Sequence, residues 1–370
     1  MTRTISTADP LADLWALLEP DERPVCGVEH EYEVRDASGT VLDFRTVADG
    51  LGLGLRLDPG DPHAHRGTWG GVVTADGREA EVVSPPVPIG PSAPDVVHAY
   101  AVAGRRHLEE HLPDGATLTG YSTHISTAVP DTVVRSVAKL VVRHLSPALM
   151  LLLDRRTSPG LLVRPRPGRL EVCGEFTEGR TLRIAVAVVV AVGQLCSTDQ
   201  PTLPPRLRVR TERSKQRFGT YVDRRAFGPD LYAEGRAAVL RRRGGTVTAG
   251  KYLAEVVALL DDRLRLLLAD DDLAALHAVV AGDEPLPCES PGSDETPRVV
   301  APPLDLGPRQ AGDVGVEFVA ATWWTYVAKL SGARDRWLTV PRTWLRSFLD
   351  RLDDGSLDEV LDRIVSGHAS

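Results

Sequence analysis

The chain is short of cysteine, lysine and long apolar runs, and each shortage argues against a class of protein. Its four cysteines, Cys26, Cys173, Cys196 and Cys288, are scattered through 370 residues with no C-x-x-C pair. That pattern argues against a disulfide framework and against a cysteine-rich zinc module. Only Lys139, Lys215, Lys251 and Lys329 are lysines, so the positive charge is almost all arginine, and the net charge is −8 at pH 7. A chain with this balance is not by default a nucleic-acid binder. The most apolar runs, 147–153 and 182–195, fall short of a membrane span and contain or abut charge. No basic-then-apolar signal segment opens the chain. The expectation is a cytoplasmic, reducing setting, with neither membrane nor nucleic acid as partner.

What is present suffices for a folded enzyme-sized body. Hydrophobic residues make up 42% of the chain, which supports a core of ordinary size. Leucines 11, 14, 17 and 18 predict a leading helix over 8–19. Strand and turn signals alternate from 25 to 88, with 49–78, rich in Gly, Asp and His, reading as a loop. Helices are predicted over 94–112, over 131–156 with Asp131 and Thr132 at its N-cap, over 180–196, and over 248–281 as one or two. The stretch 282–312, rich in Pro and acid, reads as a linker or mobile loop. The expected organisation is a domain over 1–281, that linker, and a C-terminal unit over 313–370 carrying Trp323, Trp324, Trp337 and Trp344. Those indoles read as core or interface residues.

Four short segments carry chemistry. Residues 26–34 read Cys-Gly-Val-Glu-His-Glu-Tyr-Glu-Val. On a strand, the period of two sends Glu29, Glu31 and Glu33 to one face. Three carboxylates so close repel unless something neutralises them; a divalent metal does so, and a solvated face is the alternative. Residues 79–86, Glu-Ala-Glu-Val-Val-Ser-Pro-Pro, put Glu79 and Glu81 on one face and then stop at a proline pair. In Gly-Tyr-Ser-Thr-His-Ile-Ser, residues 120–126, His124 and Ser126 share a face. Residues 169–178 place Arg169, Glu171 and Cys173 on one face. Arg206, Arg208, Arg210, Arg213, Lys215 and Arg217 form a basic stretch, read as a solvated face or as a holder of carboxylate or phosphate. His63 and His65 are loop histidines, which usually hold no metal.

In this order the four segments resemble the glutamine synthetase-like carboxylate–amine ligases, nearest to the glutamate–cysteine ligase and amidoligase types. That family runs Gly-Val-Glu-x-Glu, Glu-x-x-Ser/Thr-Pro-Pro, Gly-x-His-x-His/Ser and Arg/Thr-x-Glu-x-Arg, and the likeness covers roughly 24–196. It implies an α+β fold with a curved, mostly antiparallel sheet, acidic on its concave face, with helices 131–156 and 180–196 behind. It implies ATP and Mg²⁺ or Mn²⁺, with Glu29, Glu31, Glu81, His124 and Glu171 as metal ligands. Glu31, His124, Ser126 and Arg183 become nucleotide-binding residues, and Glu29, Arg169 and Arg180 catalytic ones. Glu33 and Glu79 stand further out, with exposed ion pairing as their alternative.

The implied substrates are an amino-acid or peptide carboxylate and an amine, joined through an acyl phosphate. A homodimer is left open. The same fold also serves amide or isopeptide hydrolases and catalytically silent relatives. Two positions depart from the pattern: Ser126 replaces a histidine, and Cys173 replaces the second arginine of Arg-x-Glu-x-Arg. The second departure puts phosphate binding in question, and Arg169, Arg180 and Arg183 are the candidates to supply the missing guanidinium.

Overall fold

The computed structural model describes residues 9–58, 61–67, 69–214, 218–289, 295–302 and 304–367. They group into two compact units: a larger one within 24–52 and 71–302, and a smaller one within 1–23, 53–70 and 303–370. This division differs from the boundaries read from the sequence. The smaller unit takes in two N-terminal segments, and the division between the units falls between 302 and 303, within the acidic stretch 282–312.

The larger unit is built on an antiparallel sheet. Its strands are β1 (Val25–Arg35), β2 (Val72–Asp76), β3 (Glu79–Val83), β4 (Thr117–Ala128), β5 (Gly160–Arg166), β6 (Arg169–Glu175) and β7 (Gly219–Asp223). They run in the order β7-β5-β6-β4-β1-β3-β2, so β1 and β4 lie at the middle. Residues 49–78 are therefore not a single loop. Strands occupy Leu55–Asp58, Asp61–Arg66 and Val72–Asp76 there, and the many turn residues between them had masked the short alternations.

One face of this sheet is apolar. Val28, Val82, Ile125, Val163, Leu170 and Val172 are all buried. Against that side pack helix α1 (Ala93–His111) and helix α2 (Gly179–Cys196). α2 is apolar nearly all round, the pattern of a helix enclosed on every side, and most of its residues are buried. Its contact with the sheet is close at Gly193, where an added Cβ would stand 2.6 Å from Cγ2 of Thr127. The Oγ1 of Thr123 accepts the N–H of Thr177 just before α2. Thr123, Ile125 and Thr127 thus point to the helices, and by the period of two Ser122, His124 and Ser126 point to the opposite face.

The helix predicted over 131–156 is real but interrupted. It runs Val134–Leu140, a π turn Val141–Leu145, then Ser146–Leu153. Asp131 does not cap it; its side chain accepts the N–H of Gly168 instead. By length and composition the helices Val134–Leu153 and Gly179–Cys196 are each apolar enough to cross a membrane, yet both are mostly buried inside this unit. At the end of the first, buried Asp154 accepts the N–H of Glu175 at 3.0 Å and the hydroxyl of Tyr232. Burial lifts that carboxyl to about 7. The predicted 248–281 segment resolves into α3 (Ala249–Leu267) and α4 (Asp270–Ala281).

The smaller unit has its own core. Strands Arg309–Ala311, Val314–Ala321, Thr325–Ser331 and Arg336–Pro341 form an antiparallel sheet. Phe318, Leu330 and Val340 from this sheet pack with Leu14, Phe348 and Leu361 of three helices. Trp344 meets Trp15 with ring centroids 4.8 Å apart, whereas Trp337 is 65% exposed. The tryptophans therefore do not share one role.

Candidate functional site

The polar face of the larger sheet gathers the residues that the four motifs single out. Residues directly opposite one another in an antiparallel pair share a face. Glu29 of β1 lies opposite His124 of β4. Glu31 lies between Ser122 of β4 and Glu81 of β3. On the far side of β4, Ser126 faces Glu171 and His124 faces Cys173, both on β6. Glu171 in turn faces Arg164 of β5, and Arg166 faces Arg169. A register shift between Glu31 and Tyr32 makes Tyr121 the extra residue of a bulge on β4, 55% exposed.

His124 is the hub. Its Nδ1 stands 3.1 Å from Oε2 of Glu29 and 3.8 Å from Oε1 of Glu171, and its Nε2 is 3.4 Å from Oε1 of Glu31. Ser122 Oγ donates to Oε2 of Glu31 at 2.6 Å and sits 3.2 Å from His124 Nε2. From the next strands, Arg164 Nη1 donates to Oε1 of Glu171 at 3.4 Å, and Arg166 Nε is 3.8 Å from its Oε2.

Electrostatics separate the carboxylates. Burial alone would raise Glu29, but the hydrogen bond and charge of His124, with the charge of Arg169, hold it down at about 2. Burial raises Glu81 well above the ordinary carboxylate range, and the charges of Glu29, Glu31 and Asp76 raise it further. Glu31 and Glu171 are also raised by burial, against the opposing pull of His124 on both and Arg164 on Glu171. Burial lowers the basicity of His124, but Glu29, Glu31 and Glu171 overcome it and raise the imidazole. Donor atoms of Glu29, Glu81 and His124 lie within 4.8 Å of one another. This oxygen-rich donor set fits a hard divalent cation such as Mg²⁺ or Mn²⁺.

Two of the sequence-derived candidates lie elsewhere. Arg183 is on α2, behind the opposite face of the sheet, and is 1% exposed. Its guanidinium is fully engaged: it donates to Asp272 at 2.7 and 3.0 Å, to Glu295 at 3.0 Å and to Nδ1 of His98 at 3.3 Å. Burial, reinforced by the charge of Arg183, depresses His98 to about 4. Arg298 closes the cluster onto Asp271 and Asp272. Arg180 is on the same helix, 3.6 Å from Asp272. Both arginines pair with Asp272 in an ion-pair cluster on the helix side of the sheet.

The arginines that do reach the acidic face come from the β5–β6 hairpin. Arg164 and Arg166 were not among the residues singled out from the sequence. β5 runs through Pro165, which pairs with Leu170 on one side only; the described pairing of β5 with β7 ends at Val163. A proline is tolerated where its strand edge needs no donor. Asp76 was also missed. Its charge bears on Glu31 and Glu81, and the alternation Thr74, Asp76 ahead of the Gly77 turn was the available signal.

The remaining candidates stand apart. Glu33 pairs with Arg35 at 2.5 Å, and Glu79 accepts the N–H of Arg78 at 2.9 Å. His63 and His65 are on Asp61–Arg66 of the smaller unit. Arg206, Arg208 and Arg210 are exposed. The side chain of Arg213, and Lys215 and Arg217, lie outside the described residues.

No protein-family model and no curated protein matches the chain. Among solved structures it is similar to the complex between the prokaryotic ubiquitin-like protein Pup and its ligase PafA, at 13% identity with a TM-score of 0.43. The match covers 71% of this chain and 65% of that one. A likeness this faint assigns no activity.

Proposed function

We propose that the chain is an ATP-dependent carboxylate–amine ligase. The observation that carries this reading is the convergence of Glu29, Glu31, Glu81 and Glu171 on His124, bordered by arginines of the β5–β6 hairpin. Amide formation driven by ATP brings anionic phosphates up to an anionic carboxylate, so the site needs positive charge held in place. Glu29, Glu31, Glu81, Glu171 and His124 would hold a divalent cation, which when bound supplies that neutralising charge. Arg164, Arg166 and Arg169 donate to oxygens of the transferred phosphoryl group. Ser122 fixes the orientation of Glu31.

An oxygen of the substrate carboxylate attacks the γ-phosphorus, and the bond to ADP breaks. The amine then attacks the acyl carbon, phosphate leaves, and the amine proton passes to solvent. The carboxylate donor is an amino acid or short peptide, and the setting is the cytoplasm.

Pairs of amino acids and short peptides, incubated with protein, ATP and Mg²⁺, test this reading. At least one pair is expected to release ADP and amide product in equal amounts, with no release when either partner is left out. Amide cleavage without ATP would favour a hydrolase. Nucleotide binding with no turnover across the whole screen would mark a silent relative, the reading that Cys173 favours.

A further inference from the structure

Cys173 has no part in that reaction, yet it stands in the same donor field. It lies directly opposite His124 across β4 and β6. Its Sγ, a ring nitrogen of His124 and a carboxylate oxygen of Glu171 are all within 4.8 Å of one another, and all three residues are buried. A second observation points to a ligand here. Glu171 is 1% exposed and its Oε2 has no hydrogen-bond partner among the described residues; Ser126 opposite it is 2% exposed, and its Oγ also lacks one. Buried polar atoms rarely go unsatisfied, and such exceptions call for an ion or water.

We propose that His124, Glu171 and Cys173 form a second cation-binding set, one that takes a thiophilic divalent ion of the zinc class. One sulfur, one imidazole nitrogen and one carboxylate oxygen are the donors that zinc accepts, with a fourth position left for water. The set differs in kind from Glu29, Glu81 and His124, where hard oxygens dominate and Mg²⁺ or Mn²⁺ is suited. When the ion binds, a metal–sulfur bond replaces the S–H bond and the thiol proton passes to solvent.

His124 is common to both donor groups, and Glu171 is also among the residues proposed for the Mg²⁺-type cation. An ion held by Cys173 therefore withdraws the imidazole from Glu29 and Glu81. The consequence, which rests on the ligase reading, is that zinc antagonises Mg²⁺-dependent nucleotide binding.

Cobalt(II) is the probe, because a thiolate–cobalt bond gives a charge-transfer band in the near ultraviolet. Titration of the intact protein with Co²⁺ is expected to produce that band, and Zn²⁺ to abolish it. In Cys173→Ser the band should be absent, with an unchanged circular dichroism spectrum showing that the variant is folded. In Glu171→Gln cobalt affinity should fall at least about tenfold, the loss expected when a supporting ligand is removed. No band in the parent protein, or an equal band in Cys173→Ser, would overturn the proposal, since the sulfur would then belong to no site or to another cysteine. A cobalt band without ADP release leaves this set standing and rejects the ligase. ADP release without a band does the reverse.

Discussion

Glu29→Gln is expected to lower ADP formation by at least about a hundredfold, the scale on which a single charge-stabilising group acts in an active site. The same variant should unfold at a lower temperature at neutral pH. Glu29 is held at about 2 by its hydrogen bond to His124 and by the charges of His124 and Arg169. A carboxyl depressed below its usual 4.5 stabilises the fold above that pH and loses the contribution as pH falls through about 2. The stability gap between parent and variant should therefore close in acid.

Glu81→Gln should lower ADP formation as well but raise the unfolding temperature. Burial and the charges of Glu29, Glu31 and Asp76 oppose its ionisation, and removing a repelled charge commonly stabilises while impairing function. Turnover and thermal unfolding measured on both variants check the pair. Near-normal turnover in Glu29→Gln would remove that residue from the site, and unfolding shifts of the same sign would contradict the electrostatic account.

The second large effect separates arginines that the sequence could not tell apart. Arg183→Ala is expected to destabilise the protein by about 1.5–3 kcal/mol, the loss of charge-assisted hydrogen bonds, because Asp272 keeps Arg298 at 2.9 Å. Asp272, itself 1% exposed, loses a two-pronged partner in that variant. Arg169→Ala should cost the fold less than Arg183→Ala, since Arg169 is half-buried where Arg183 is fully buried, while weakening ATP about ten- to a hundredfold. That is the loss of one charge-assisted hydrogen bond, roughly 1.5–3 kcal/mol. Denaturant unfolding and ATP titration of each variant decide the matter. Normal stability in Arg183→Ala would contradict the ion-pair cluster, and normal ATP affinity in Arg169→Ala would leave the phosphate without its proposed donor.

The reach of the sequence follows from which signals are local. The alternation of Glu29, Glu31 and Glu33 is a property of one strand, so β1 and the facing of its acids could be read directly. The pairing of Glu31 with Glu81 and of Glu29 with His124 needs the order of strands, and only the resemblance brought those segments together. Arg183 shows the limit most clearly. A charge near the start of an apolar helix looks available to a neighbouring strand, because its partner Asp272 lies 89 positions further along the chain. Arg164 and Arg166 were overlooked for another reason. Pro165 reads as a strand breaker unless one knows that its strand pairs on one side only at that point. Asp76 was lost to the turn-rich composition around it.

The central claim is that the acidic face around His124 is a metal–nucleotide site, and calorimetry with ATP tests it most directly. Titration of ATP into the protein is expected to show saturable binding with Mg²⁺ or Mn²⁺ present, and much weaker binding after EDTA treatment. Equal affinity in the two conditions would contradict the account, and no ATP binding in either would rule out the ligase reading altogether.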